Sequence, residues 1–201
     1  MLSLLYAAQD PRRLERFWST LTEGQESIPI RFFPTDRPKT GLNRVHLHLT
    51  SETEEHQRRT VARALELGGA HLDVGQKPEE GHIVLADPEG NEFCVIEAGN
   101  KYLANTGFLG ELACDGSRAT GLFWSAALGW PLVWDQDEET AIQSPTGGTK
   151  IGFGGPPVAP RTDNERMLFG IDGDLDRLLT LGASLVEGEP VDPDGIPFKI
   201  Y

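Results

Sequence analysis

Two histidines stand two residues apart in the segment NRVHLHL, at His46 and His48, and residues i and i+2 of a strand lie on one face. Imidazole is the commonest protein ligand for a metal ion and the side chain that titrates nearest neutral pH. Cys94, in ADPEGNEFCVIE, supplies a sulfur, and Glu97 follows it with the opposite strand parity, so the two point to opposite faces. His82 and Glu111 are further donors of compatible type. A thiol and an imidazole also make a nucleophile with its base, but nothing near Cys94 marks a third, orienting group or an oxyanion site. Cys94 is otherwise a small residue of the kind that fills a core. Trp130 and Trp134 carry flat indoles on which a flat ligand could stack. Two other patterns carry no chemistry. GGTKIGFGGPP lacks the strand-to-helix setting of a phosphate loop. The DPxG segments at Asp87 and Asp192 lack the spaced oxygens and distant Glu of a calcium loop.

Such groups need strands and helices to hold them. MLSLLYAAQ reads as a strand, and a helix follows, with Asp10 as its cap and Pro11 in its first turn. Leu14, Phe17, Trp18 and Leu21 fall along one face of it. A second helix is expected to open with a Ser51-x-x-Glu54 capping box and close at Gly68-Gly69. HIVLADPEGNEFCVIE then reads as two strands joined by a tight turn at Asp87-Pro88-Glu89-Gly90. After the polar segment GNKYLANT the pattern restarts. GFLGELACDG reads as a strand, and SRATGLFWSAALGW as a helix with Phe123-Trp124 placed as Phe17-Trp18 were. Strands follow at PLVWDQD, ETAIQSP, TKIGFGG and ERMLFGIDG, then a short helix ending at Gly182, and a second DPxG turn with a strand behind it. The copies are unequal. The stretch from Trp18 to Asn43 is shorter by about a hairpin than that from Trp124 to Glu165. Residues 41–100 and 107–158 are therefore complete modules, and 1–40 and 159–201 abbreviated ones.

Composition excludes some partners. A net charge of −13 argues against nucleic acid or an anionic membrane, because phosphate binding needs clustered Lys and Arg. Four Trp and nine Phe can fill a core. Two cysteines cannot make a disulfide framework and fit a reducing cytoplasm. The first residues carry no basic leader, and their apolar run is too short to span a bilayer, so a cytoplasmic protein is expected.

Taken together, FW on the first helix, NRVHLHL, ADPEGNEFCVIE and FWSAALGWPLVWDQDEETAIQSP resemble the glyoxalase-like subgroup of the vicinal-oxygen-chelate superfamily, whose relatives include glyoxalases, bleomycin-resistance proteins and extradiol dioxygenases. The resemblance covers nearly the whole chain. It implies an α+β fold of tandem βαβββ modules forming curved mixed β-sheets, with helices on the outer face and a small-molecule cleft on the concave one. Two domains are expected, 1–100 and 107–201. In a second arrangement the complete modules pair with each other. An abbreviated module leaves a sheet edge to be covered, and a homodimer is one way to cover it.

Carried over position by position, the resemblance places metal ligands at Ser3, His46, Leu109 and Leu168 on the opening strands, and at Cys94 and Lys199 after the turns. Leu and Lys cannot hold a divalent ion. A zinc, iron, manganese or nickel ion is therefore expected in the first domain only, on His46 and Cys94, with His48 or Glu97 as alternates. The expected ligand pocket comprises His46, His48, Cys94, Trp130 and Trp134. Two functions remain open. One is a small-molecule-binding protein with a degenerate metal site. The other is a divalent-metal-dependent lyase, isomerase or dioxygenase acting on a vicinal-oxygen substrate.

Overall fold

A computed structural model describes residues 1–77, 79–160, 162 and 164–201. The chain opens with β1 (Leu2–Ala8), α1 (Pro11–Thr22) and β2 (Ile30–Pro34), and continues with β3 (Val45–Leu49), α2 (Glu54–Glu66), β4 (Ala70–His71), β5 (Ile83–Ala86) and β6 (Glu92–Val95). The second half runs β7 (Leu109–Cys114), α3 (Arg118–Leu128), β8 (Leu132–Gln136), β9 (Glu139–Gln143) and β10 (Lys150–Phe153). It ends with β11 (Met167–Ile171), α4 (Leu175–Leu181), β12 (Ser184–Val186), β13 (Glu189–Val191) and β14 (Phe198–Ile200). This is the expected α+β architecture of repeated modules with mixed sheets. Among the described residues no helix is long and apolar enough to cross a membrane.

Local chemistry accounts for the helix starts. The Asp10 carboxylate accepts from the Arg13 N–H at 3.0 Å, and Pro11 occupies the first turn, where its missing donor costs nothing. The capping box expected at Ser51 is displaced by two residues. Thr53, with extended backbone, is the cap, and its hydroxyl accepts from the His56 N–H at 3.0 Å. The strand β2 was not expected from the pattern, since IRFFP lacks clean alternation and ends in proline; it pairs in parallel with β1 at the sheet edge.

An eight-stranded sheet has the order β4-β5-β6-β3-β7-β10-β9-β8, and a four-stranded sheet the order β14-β11-β1-β2, with β12-β13 as a separate hairpin. The complete modules 41–100 and 107–158 thus pair with each other along the antiparallel seam β3·β7, and the abbreviated ones meet along the antiparallel seam β1·β11. Of the two arrangements open to the sequence, the topology is that of the second.

The repeated FW and DPxG segments prove to be two ends of one latch. The Trp18 indole N–H donates to the Asp87 carboxylate at 3.4 Å, and the Tyr6 hydroxyl to the same oxygen at 2.6 Å. In the second half the Trp124 indole donates to Asp192 at 3.1 Å. Each indole packs edge-on against the strand behind its turn, Trp18 on Phe93 at 5.0 Å and Trp124 on Phe198 at 5.3 Å. Gly90 and Gly195 close the turns at φ of 83° and 78°, a region that favours glycine. Trp18 and Trp124 are 1% and 0% exposed, and an indole of that kind removes about 150–250 Å² from water, roughly 4–6 kcal/mol before entropy. Burial lifts both turn carboxyls above the ordinary range, Asp192 to about 6.

Candidate functional site

The central strands of the large sheet bring the site residues into two rows. Register sets Cys94 on β6, His48 on β3, Glu111 on β7 and Lys150 on β10 side by side. The neighbouring row reads His46, Ala113, Gly152, Ala141 and Trp134 across β3, β7, β10, β9 and β8. Alternation puts Val45, Leu47 and Leu49 into the core and turns His46 and His48 to the concave face. His46, His48, Tyr102, Glu111 and Trp134 line a cleft there of about 340 Å³.

Four side chains form a continuous hydrogen-bonded chain. The Tyr102 hydroxyl donates to Glu111 Oε1 at 2.7 Å, Glu111 Oε2 lies 2.8 Å from His48 Nδ1, and His48 Nε2 lies 2.9 Å from His46 Nε2. Burial alone would lower the His48 pKa, but hydrogen bonds to Cys94 and Glu111 outweigh it and push it up to about 9. His46 goes the other way, to about 3, because burial and the neighbouring His48 both oppose its charge. These directions match the geometry: His48, when protonated, can donate Nδ1–H to Glu111 and Nε2–H toward His46 or Cys94. Burial would raise the Glu111 carboxyl, yet the bond and charge of His48 hold it below the ordinary range. The Tyr102 phenol is raised by burial and by Glu111, so it stays a donor.

Gly152 makes this meeting possible. A Cβ there would lie 2.0 Å from Glu111 Oε1 and 2.9 Å from the Tyr102 hydroxyl, so only a bare strand leaves room for both. Lys150, at the end of the first row, holds its ammonium 4.5 Å over the Tyr102 ring and donates to the Tyr102 carbonyl.

His46, His48 and Cys94 present donor atoms that all lie within 4.8 Å of one another. Two imidazoles and a sulfur suit zinc or iron better than manganese or magnesium. Three protein donors beside an open cleft also match the pattern of a metal site with a free position. Glu111 engages Nδ1 of His48, the ring edge away from His46, and so backs the imidazole as carboxylates commonly do behind metal-binding histidines. The residues fit a metal ion.

The other expected residues are distributed as follows. Trp134 stands on the cleft wall, 40% exposed, with Tyr102 edge-on at 5.9 Å. Trp130 does not line the cleft. It follows the Gly129 cap of α3, its backbone is tied to Ser125, and its ring packs on the core. Glu97, as its parity implies, lies away from the cluster, accepting from Asn100 at 2.8 Å and lining a separate groove between α1, α2 and residues 96–108. His82 faces Glu80 at 3.7 Å. Leu109 is buried in the core, because an irregularity in register between His48 and Leu49 sets it opposite Leu49, whereas Glu111 keeps the regular register opposite His48. Leu168 is a buried residue of the small sheet, and Lys199 pairs with Glu189 at 2.9 Å. Sequence reasoning missed Tyr102 and Lys150. The one signal for Tyr102 is an aromatic residue in an otherwise polar connecting segment.

A family model described as glyoxalase-like domain matches residues 3–96 and 111–201. Among solved structures, glyoxalase I of Zea mays superposes with a TM-score of 0.63 at 12% identity, over 100% of this chain and 92% of that one. A candidate dioxygenase of Bacillus subtilis gives 0.61 at 13% identity, over 98% and 83%. At such identities the likeness is one of fold. No curated protein matches the chain in sequence.

Proposed function

Because the chain belongs to the glyoxalase-like domain family, we propose that the cleft of its large sheet binds an oxygen-bearing small molecule against a divalent metal ion held by His46, His48 and Cys94. One observation carries this reading: the three donor atoms converge within 4.8 Å beside a cleft. The ion, when bound, supplies Lewis acidity toward a carbonyl or enediolate oxygen of the ligand. The chain's own residues do the rest. Glu111 holds the His48 ring in one orientation, and Trp134 offers an aromatic wall to the ligand's apolar part. Lyase or isomerase chemistry suits this donor set better than oxygen activation, which typically uses two histidines and a carboxylate on iron. Here Cys94 takes the third place, and Glu111 lies on the far edge of His48.

A second reading, a metal-free binding protein, is favoured by the closed hydrogen-bonded chain from Tyr102 to His46, which satisfies these groups without an ion. Elemental analysis of untagged protein purified without chelator separates the two. Near-stoichiometric zinc or iron, lost in His46→Ala and Cys94→Ser, is the expected result. Trace metal that is unchanged by either substitution would leave the metal-free reading and direct the search to ligands by thermal shift.

A further inference from the structure

We infer that Tyr102, from the segment joining the two halves of the chain, is a positioning residue for the metal: it fixes the Glu111 carboxylate that in turn fixes the ring of His48. The inference rests on the metal reading above and adds to it a residue outside the ligand set. Three observations carry it.

First, the two oxygens of Glu111 are divided between two partners, Oε1 accepting from Tyr102 at 2.7 Å and Oε2 facing His48 at 2.8 Å. A carboxylate held at both oxygens cannot rotate about its last bond without breaking one of them. Second, the strand beneath is bare where they meet, since a Cβ at Gly152 would collide with Glu111 Oε1 at 2.0 Å and crowd the Tyr102 hydroxyl at 2.9 Å. Third, Tyr102 is itself held from two other sides. The Lys150 ammonium lies 4.5 Å over its ring and bonds its carbonyl, and Trp134 meets it edge-on at 5.9 Å. A tyrosine that served only to fill space would need its ring and not its hydroxyl. Here the hydroxyl carries the geometry onward, because removing it frees Glu111 Oε1 and with it the orientation of the imidazole.

The test compares wild type, Tyr102→Phe, Glu111→Ala and the double variant, each stripped and titrated with zinc against a chromophoric chelator. Cobalt(II) loading then reports the ligand field. Removing an outer partner of a metal-binding histidine weakens affinity about 10–100-fold, so Glu111→Ala should fall in that range and Tyr102→Phe near its lower end. Because Tyr102 acts through Glu111, the double variant should bind no more weakly than Glu111→Ala. The cobalt spectrum of Tyr102→Phe should also differ from wild type, which a purely structural loss would not produce. If Glu111→Ala does not fold, Glu111→Gln replaces it, since an amide cannot accept from both partners. Unchanged affinity and spectrum in Tyr102→Phe, or a loss that persists in full without Glu111, would overturn the inference while leaving the metal site intact. A wild-type protein that takes up no metal would overturn the metal reading and the inference together.

Discussion

Replacing Gly152 by alanine should destabilise the metal-free protein, although the same change in an ordinary strand stabilises. The new methyl would sit 2.0 Å from Glu111 Oε1 and 2.9 Å from the Tyr102 hydroxyl. Backbone cannot yield in the middle of a paired strand, so the Glu111 side chain must swing into the cleft. That breaks two bonds to a charged group, to His48 and to Tyr102. Such bonds are worth about 1.5–3 kcal/mol each, and the lower end applies because the displaced carboxylate regains water. Against a loss of about 3 kcal/mol stands a gain of about 0.4–1 kcal/mol from the stiffer unfolded chain. The net cost is about 2 kcal/mol, and for a chain of this size it should lower the melting temperature by about 4–8 °C. Calorimetry on stripped protein measures it, and imidazole NMR should show the His48 titration moving down from its raised position. In a Glu111→Ala background the 2.0 Å clash is gone and only the far end of the Tyr102 side chain has to give, so the cost of Gly152→Ala should largely vanish. A Gly152→Ala single variant at least as stable as wild type, with His48 titrating unchanged, would refute the reasoning.

The pH dependence of stability should carry the signature of the two histidines. Native His48 keeps a proton up to about 9 that the unfolded chain releases near 6.5, so the metal-free protein should lose stability as pH rises through that window. His46, held down to about 3, works in the opposite sense, and stability should also fall as pH drops below 6.5. Melting temperatures across pH should show an alkaline limb that flattens in His48→Asn; an identical limb in that variant would contradict the assignment. Asp87→Ala strands Tyr6, Trp18 and two backbone donors, a loss on the order of 4 kcal/mol or more by urea denaturation, whereas Asp10→Ala at an exposed cap should cost only about 1 kcal/mol. Equal losses would argue against the latch. Trp134→Ala should shift stability by less than about 1 kcal/mol, yet weaken ligands found by thermal shift about tenfold; unaltered binding would remove Trp134 from the site.

The fold is legible because its signals are local and repeated. Asp10-Pro11 starts a helix, Leu14, Phe17, Trp18 and Leu21 give it a face, and DPxG closes a hairpin, all within a few residues. What is not legible is which repeat meets which. Trp18 reaches Asp87, and β3 takes β7 of the second half as its other neighbour beside β6, by contacts that no short-range periodicity encodes. The site follows the same division. His46 and His48 declare a shared face through spacing, and Cys94 stands beside them once β3 and β6 are paired. Glu111 enters because β7, and not a strand of its own half, lies antiparallel beside β3 and sets it opposite His48, and Tyr102 because Gly152 leaves room above the sheet. Glycine in a strand is read from sequence as a weakness, and here it is the condition for a buried carboxylate to reach its partners.

Both shortened modules fall in the same sheet. Two equal repeats joined along two antiparallel seams would make a molecule with twofold symmetry and two equivalent clefts. In this chain the symmetry has been spent unevenly: one face keeps all eight strands, and the other has four, with Ser3, Leu168 and Lys199 standing where donors would be. The face that carries the proposed site is therefore backed by a smaller sheet of the same repeated modules without those donors. On the proposed reading, saturation should count one metal ion per polypeptide, at the cluster of His46, His48 and Cys94.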